Sequence, residues 1–239
     1  RLARRWFWFE RVALPAWQAQ TDPDFRLVVM TGPDLPEPYL TRLRALSAAT
    51  PQIVVEAVPP MDHHRTACAR ALAPHLDPQA EVVGYVKHDD DDAVAVDFVA
   101  SARRDLRLVR PMLNRDGRAS CDYAKGLILR ADGARVEVLP RHVHSTGVAL
   151  VTWVRAGDPG SAIDFEHWRL GHHMNGVAVH DRPMFVRTLH ADNDSGAPGP
   201  NYPWASPPHD PAALMKRRFR IDLPGLRRAL AAGEGGGPA

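Results

Sequence analysis

The chain has 239 residues, 45% hydrophobic and 24% charged, with a formal net charge of +2. That length accommodates one large α/β domain or two small ones, with a sizeable buried core. The near-neutral charge argues against a dedicated nucleic-acid binder, and no run approaches the ~18 apolar residues of a membrane span.

The elements follow in order. Leu2 to Gln20 reads as an aromatic-rich helix (Trp6, Phe7, Trp8, Phe9) that Pro15 kinks or ends. "FRLVVMTG" (25–32) is a short β-branched run closed by glycine, hence a buried strand. "EPYLTRLRALSA" (37–48) carries apolar residues at helical spacing, "PQIVVEAVPP" (51–60) reads as a strand and "HHRTACARALAPHL" (63–76) as a helix. "EVVGYVKH" (81–88) is a third strand, and "DAVAVDFVASARRDL" (92–106) reads as a further helix. Strands and helices alternating every ~30 residues predict βαβ crossovers and a mainly parallel sheet.

The character changes after residue 107. "KGLILRADGARVEVLP" (125–140) predicts a hairpin turning at Asp132-Gly133, "GVALVTWV" (147–154) a strand, and 161–176 a His-rich helix or loop. "RPMFVRTLHADNDSG" (182–196) follows. From Ala197 proline and glycine dominate, then the basic "MKRRFRIDLPGLRR" (215–228), then a Gly-rich tail expected to be disordered. The expectation is one α/β catalytic domain over 1–196 with a mixed, mainly parallel central sheet, and a basic extension over 197–239. The extension reads as a solvated amphipathic segment, or as a patch that docks on anionic lipid. Cys68 and Cys121 form no motif, which suits a reducing compartment. The sequence starts at Arg1 without methionine or targeting segment, so a cytoplasmic chain, at most touching the inner membrane face, and beginning inside a longer sequence is expected.

"VKHDDDDAVAVDF" (86–98) is the feature that carries chemistry. Four adjacent carboxylates repel one another. One reading is local: a helix beginning at Asp92 or Ala93 would welcome one or two of them at its N-terminus, and water the rest. The other is a ligand site. The run sits where a strand ends, which is where open α/β sheets gather ligands, and clustered carboxylate oxygens suit Mg²⁺ or Mn²⁺. Asp89-x-Asp91 is a DxD spacing, in which one carboxylate faces a nucleoside while another binds a metal that bridges a diphosphate.

"WFWFERVALPAWQAQTDPDFRLVV", then "KHDDDDAVAVDFV", then "PMFVRTLHADNDS" resemble the rhamnosyltransferase family of bacterial glycosyltransferases with the A-type fold, over most of residues 5–195. The resemblance implies a single Rossmann-like nucleotide-diphospho-sugar transferase domain that uses Mn²⁺ or Mg²⁺. Such a domain passes a sugar from a nucleoside-diphosphate sugar to a hydroxyl on a glycan or lipid-linked acceptor. It implies that Asp89, with Asp90, lies near the nucleoside, that Asp91 and Asp92 lie at the metal and diphosphate, and that His190 is a metal ligand from the C-terminal half. From its residues alone His190 reads as a surface or satisfied histidine before a polar turn. Two features depart from the family pattern. The chain opens on a helix where the fold usually opens with a strand, and His88 stands where an apolar residue is expected, which leaves the motif's register open by one position.

Asp34, beyond the strand 25–32, reads either as a nucleoside contact or as a turn residue, and Arg65 as a phosphate contact or a solvated helix-start arginine. An inverting transfer also needs a base. Asp164 and Glu166 are the carboxylates available within 161–176, alongside His167, His172 and His173; each also reads as a surface residue. Two other classes use acidic clusters. A two-metal phosphoesterase or nuclease would want further His and Asp at strand ends, and a Ca²⁺-binding module would want the EF-hand spacing, which this run lacks.

Overall fold

The computed structural model describes residues 1–61, 63–157, 166–191, 193 and 203–234. The aromatic opening folds as one helical rod in three parts: α1 (Leu2–Trp8), a π turn (Phe9–Ala13) and α2 (Leu14–Gln18). Pro15 has no N–H to return to the carbonyl of Arg11, and the wider π turn absorbs that interruption so the rod continues. The rod is apolar nearly all round because it lies between two cores. Phe7, Trp8, Val12, Ala16 and Trp17 enter the main core, while Trp6, Phe9, Ala13 and Leu14 pack with Leu43 and Ile53.

Next come β1 (Leu27–Thr31), α3 (Glu37–Ala49) and β2 (Ile53–Ala57), with β1 and β2 paired in parallel from Leu27 opposite Ile53. α4 (His64–Leu72) and β3 (Val82–Tyr85) follow. To this point the elements are those the sequence predicts.

The predicted helix over 92–106 is corrected. Ala93–Val94 form a short strand, β4, and the helix α5 (Phe98–Asp116) begins only after Asp97. Apolar partners across a sheet outcompete local helix preference here: Ala93 pairs with Val186 and Val94 with Phe185, and Ala93 and Val94 are fully buried. Asp92 therefore caps no helix. Gly117, at φ 77°, closes α5.

The remaining strands are β5 (Arg118–Tyr123), β6 (Lys125–Asp132), β7 (Arg135–His142), β8 (Leu150–Arg155), β9 (Gly176–Val179) and β10 (Phe185–Leu189). The hairpin β6–β7 forms as expected, but its two-residue loop is Gly133-Ala134, with Asp132 paired to Arg135 and Gly133 at φ 54°. The sheets are mixed, as expected, but not mainly parallel. They run β1-β2, β4-β10-β6-β7 and β3-β8-β5-β9, and β10–β4, β3–β8, β5–β8 and β6–β7 are antiparallel. The βαβ rhythm ends at β3, and the later pairings join strands too far apart in the chain for periodicity to reveal.

β10 runs parallel to β6, and Phe185 lies across Gly126, where even a Cβ would sit 2.4 Å from its ring. That close approach fixes where β10 ends, and so where His190 is delivered.

The basic C-terminal segment forms α6 (Pro211–Phe219) and α7 (Leu223–Ala231), each capped by an aspartate side chain, Asp210 and Asp222. It is not a solvated segment. Met215, Phe219, Ile221 and Leu223 are fully buried in the same core as α5 and the sheets. Two of its arginines also turn inward. Arg218 pairs with Asp97 at 2.9 Å, and Arg227 donates to the Val136 carbonyl at 3.0 Å. No helix among the described residues is long and apolar enough to cross a membrane.

Candidate active site

The antiparallel β4–β10 pairing builds the site. With Ala93 opposite Val186, Asp92 falls beside the end of β10, and its Oδ1 accepts the Thr188 N–H at 2.8 Å. One residue earlier, Asp91 Oδ2 lies 3.0 Å from Nε2 of His190 and accepts the Asn193 side-chain amide at 2.9 Å. Asn193 Oδ1 in turn accepts the His190 backbone N–H. The His190 ring lies flat on Trp8, with centroids 4.7 Å apart and planes 2° apart. Residues about 100 positions away in the chain thus converge on one carboxylate.

Carboxylate oxygens of Asp89, Asp91 and Asp92 lie within 4.8 Å of one another. Asp90 is not part of this convergence: it is drawn aside by Arg5, 2.7 Å away. Asp92 is only 4% exposed. Burial first, and the neighbouring Asp91 charge second, push its pKa well above the ordinary carboxylate value, against the opposing Thr188 hydrogen bond. Burial likewise raises Asp90, with Arg5 pulling the other way.

This donor set fits a hard divalent cation. It is all oxygen, it is crowded with like charge, and its most buried member is held ionised only at a cost. The 3.0 Å between Asp91 and His190 is a hydrogen-bond length.

A stability prediction follows from Asp92. An acid whose folded pKa exceeds its unfolded one binds more protons when folded between the two values. Its contribution to stability therefore declines as pH rises above 3.8. Asp92→Asn keeps an acceptor for Thr188 and removes the charge. In chelator at pH 7 it is expected to raise the melting temperature and to flatten the decline between pH 4 and 7. Thermal melts across that range check it; an unchanged or lower melting temperature at pH 7 would contradict it.

His88 occupies the interior of the loop. Its Nε2 lies 3.0 Å from the Asp92 carbonyl and its ring stands edge-on to Trp17 at 5.3 Å. Burial lowers its pKa, so the neutral ring does the work of the expected apolar residue while tying the two ends of the aspartate run together.

The other sequence candidates are scattered. Asp34 lies in the exposed turn after β1, and Arg65 is exposed in the first turn of α4. Neither is linked by hydrogen bond or ion pair to the aspartates. Asp164 lies outside the described residues. Glu166 precedes a short 3₁₀ helix (His167–His172) and pairs with Arg169 at 3.3 Å. A groove of about 900 Å³ is lined by Leu27, Val28, Val83 and Tyr85 among others. The aspartate cluster is not in its lining and lies just beyond it, past His88. Sequence reasoning missed Asn193, Thr188 and Arg5 as partners of the run, and Trp8 as the surface under His190; the "ADND" turn after His190 was the one available signal for Asn193.

A convergent all-oxygen cluster beyond a strand end, in a mixed α/β domain, makes a candidate hard-cation site. The chain belongs to the family described as putative rhamnosyl transferase, whose pattern it matches over residues 1–202. No curated protein matches it. The family description carries glycosyltransferase activity, which implies a nucleotide-sugar donor and an acceptor.

Proposed function

We propose that the protein is a metal-dependent glycosyltransferase that moves a sugar from a nucleoside-diphosphate sugar to a hydroxyl of a glycan or lipid-linked acceptor. The observation that supports this most is the convergence of Asp89, Asp91 and Asp92, locked to the end of β10 through His190 and Thr188. Rhamnose is the sugar the family description suggests.

Asp89, Asp91, Asp92 and His190 are the proposed holders of Mn²⁺ or Mg²⁺. Bound there, the ion would offset negative charge on the departing diphosphate. Asp89 is the most exposed of the three carboxylates and also faces the nucleoside side, with Asp90, Asp34 and Arg65 as further donor contacts. Asp90 enters through its pair with Arg5, which carries positive charge to the edge of the site. Asn193 and Trp8 hold His190 in place, so that the ring and Asp91 move as one unit. Work at the cytoplasmic side, with the outward-facing basic residues of α6 and α7 near anionic lipid, fits a lipid-linked acceptor.

The rival reading, a metal-dependent phosphoesterase, predicts hydrolysis without an acceptor. Thermal-shift measurements with Mn²⁺ and a panel of UDP-, GDP- and dTDP-sugars separate the two readings. Expected is a rise in melting temperature that needs both metal and one nucleotide sugar, and transfer of that sugar when acceptor is added. No response to any nucleoside diphosphate would contradict the proposal.

A further inference from the structure

A second constellation lies at the strand ends beside the aspartate cluster. Asp122, at the end of β5, is 13% exposed in its side chain and accepts the Ser145 N–H at 2.9 Å. Ser145 is held at φ 53°, an uncommon conformation for serine that places its N–H on this carboxylate. The same oxygen, Oδ2, lies 3.4 Å from Nδ1 of His144, whose side chain is 60% exposed. With Nδ1 near Asp122, the exposed ring leaves its other nitrogen available to a ligand. His180, at the end of β9, stands edge-on to both His144 (5.1 Å) and His142 (5.2 Å).

The sheet puts the two constellations at the same end. The β3–β8 ladder ends at Tyr85 opposite Thr152, two residues short of Leu150, which pairs with Asp122 on β5. β3 therefore leaves the sheet for the aspartate loop two strands away from β5, a spacing of roughly 10 Å. The loop between β7 and β8 bridges the gap. The His167 ring lies over Gly147, where a Cβ would meet it at 3.4 Å, and His167 feels the charges of Lys87, Arg187 and Asp89.

We propose that His144 is the base that deprotonates the acceptor hydroxyl, with Asp122 as the residue that orients its ring. The assignment rests on the glycosyltransferase reading. The acceptor's proton passes to the outward nitrogen of His144. The acceptor oxygen then bonds to the anomeric carbon as that carbon's bond to the diphosphate breaks, the electron pair leaving with the diphosphate. Asp122 fixes the tautomer that leaves the outward nitrogen free to accept, and stabilises the imidazolium that forms. This makes the reaction inverting.

Four groups face His144: Asp122 from β5, His180 after β9, His142 at the end of β7, and behind it Lys125 at the start of β6. Burial holds the Asp122 pKa up while Ser145 and His144 pull it down.

The test compares His144→Gln, Asp122→Asn and Glu166→Gln in the full chain, measuring transfer against pH, product configuration, and Mn²⁺-dependent binding of the donor by thermal shift. His144 is exposed, so its variant is expected to fold normally. His144→Gln should lower kcat for transfer by about 10²–10⁴-fold, abolish the acidic limb of the pH profile, and leave donor binding within about twofold. Asp122→Asn should shift that limb to lower pH, since a negative neighbour is lost, and Glu166→Gln should leave it in place. Donor binding with transfer unaffected by His144→Gln, loss of the limb in Glu166→Gln instead, or retention of anomeric configuration would each overturn the assignment. Failure of the wild-type protein to bind any nucleotide sugar would instead overturn the glycosyltransferase reading, and the base with it.

Discussion

Asp91→Asn is expected to weaken Mn²⁺ binding by at least about 100-fold and to reduce sugar transfer by a similar or larger factor. Residues that merely orient a metal ligand typically contribute 10- to 100-fold in affinity, and Asp91 is in the position of a ligand itself. It touches both His190 and Asn193. The substitution preserves size, and an amide can still accept from Asn193, so the fold should survive. Circular dichroism and melting in chelator should match the wild type within a few degrees while the metal-dependent shift disappears. Retained Mn²⁺ affinity with Asn at 91 would mean that the cluster is a solvated acidic loop.

Trp8→Ala carries the largest expected cost in stability. Trp8 is 2% exposed, packs edge-on against Phe7 at 5.2 Å and forms the surface on which His190 lies. Truncating a buried tryptophan costs about 3–5 kcal/mol, which for a chain of this size lowers the melting temperature by roughly 6–20 °C. Trp8→Phe separates the two roles. The indole N–H is buried without a hydrogen-bond partner among the described residues, so phenylalanine loses no bond and keeps an aromatic face under His190. Melts should rank wild type above Trp8→Phe and Trp8→Phe well above Trp8→Ala. Cation affinity should follow the same order, because the ring that holds Asp91 loses its platform. Equal affinity in all three would detach Trp8 from the site.

These two residues also mark how far the sequence could be read. The βαβ rhythm from Leu27 to Tyr85 was legible because strand, helix and strand each follow their own hydrophobic period within a short window. The segment after it was not. "DDAVAV" satisfies a helix start as well as a strand, and only the distant Phe185–Val186 pair decides between them. The same long-range pairing hid the antiparallel character of the later sheets. It also hid the contact of Asp91 with His190, 99 positions apart. The resemblance supplied His190 where the residues alone pointed to the surface. The C-terminal helices were misread because their basic side chains dominate the composition, although Met215 and Phe219, four apart, already lay on one helical face. Asp122 and His144 were missed for a plainer reason: they sit in unrelated stretches, and nothing but the fold places them together.

Whether the aspartate run holds a divalent cation for a nucleoside diphosphate is tested most directly by titration of Mn²⁺ followed by electron paramagnetic resonance, on the full chain with and without UDP, GDP and dTDP. Expected is one saturable Mn²⁺ site that tightens when the correct nucleoside diphosphate is present and is lost in Asp91→Asn. Mn²⁺ binding that is absent, or unchanged in Asp91→Asn and indifferent to every nucleoside diphosphate, would contradict it.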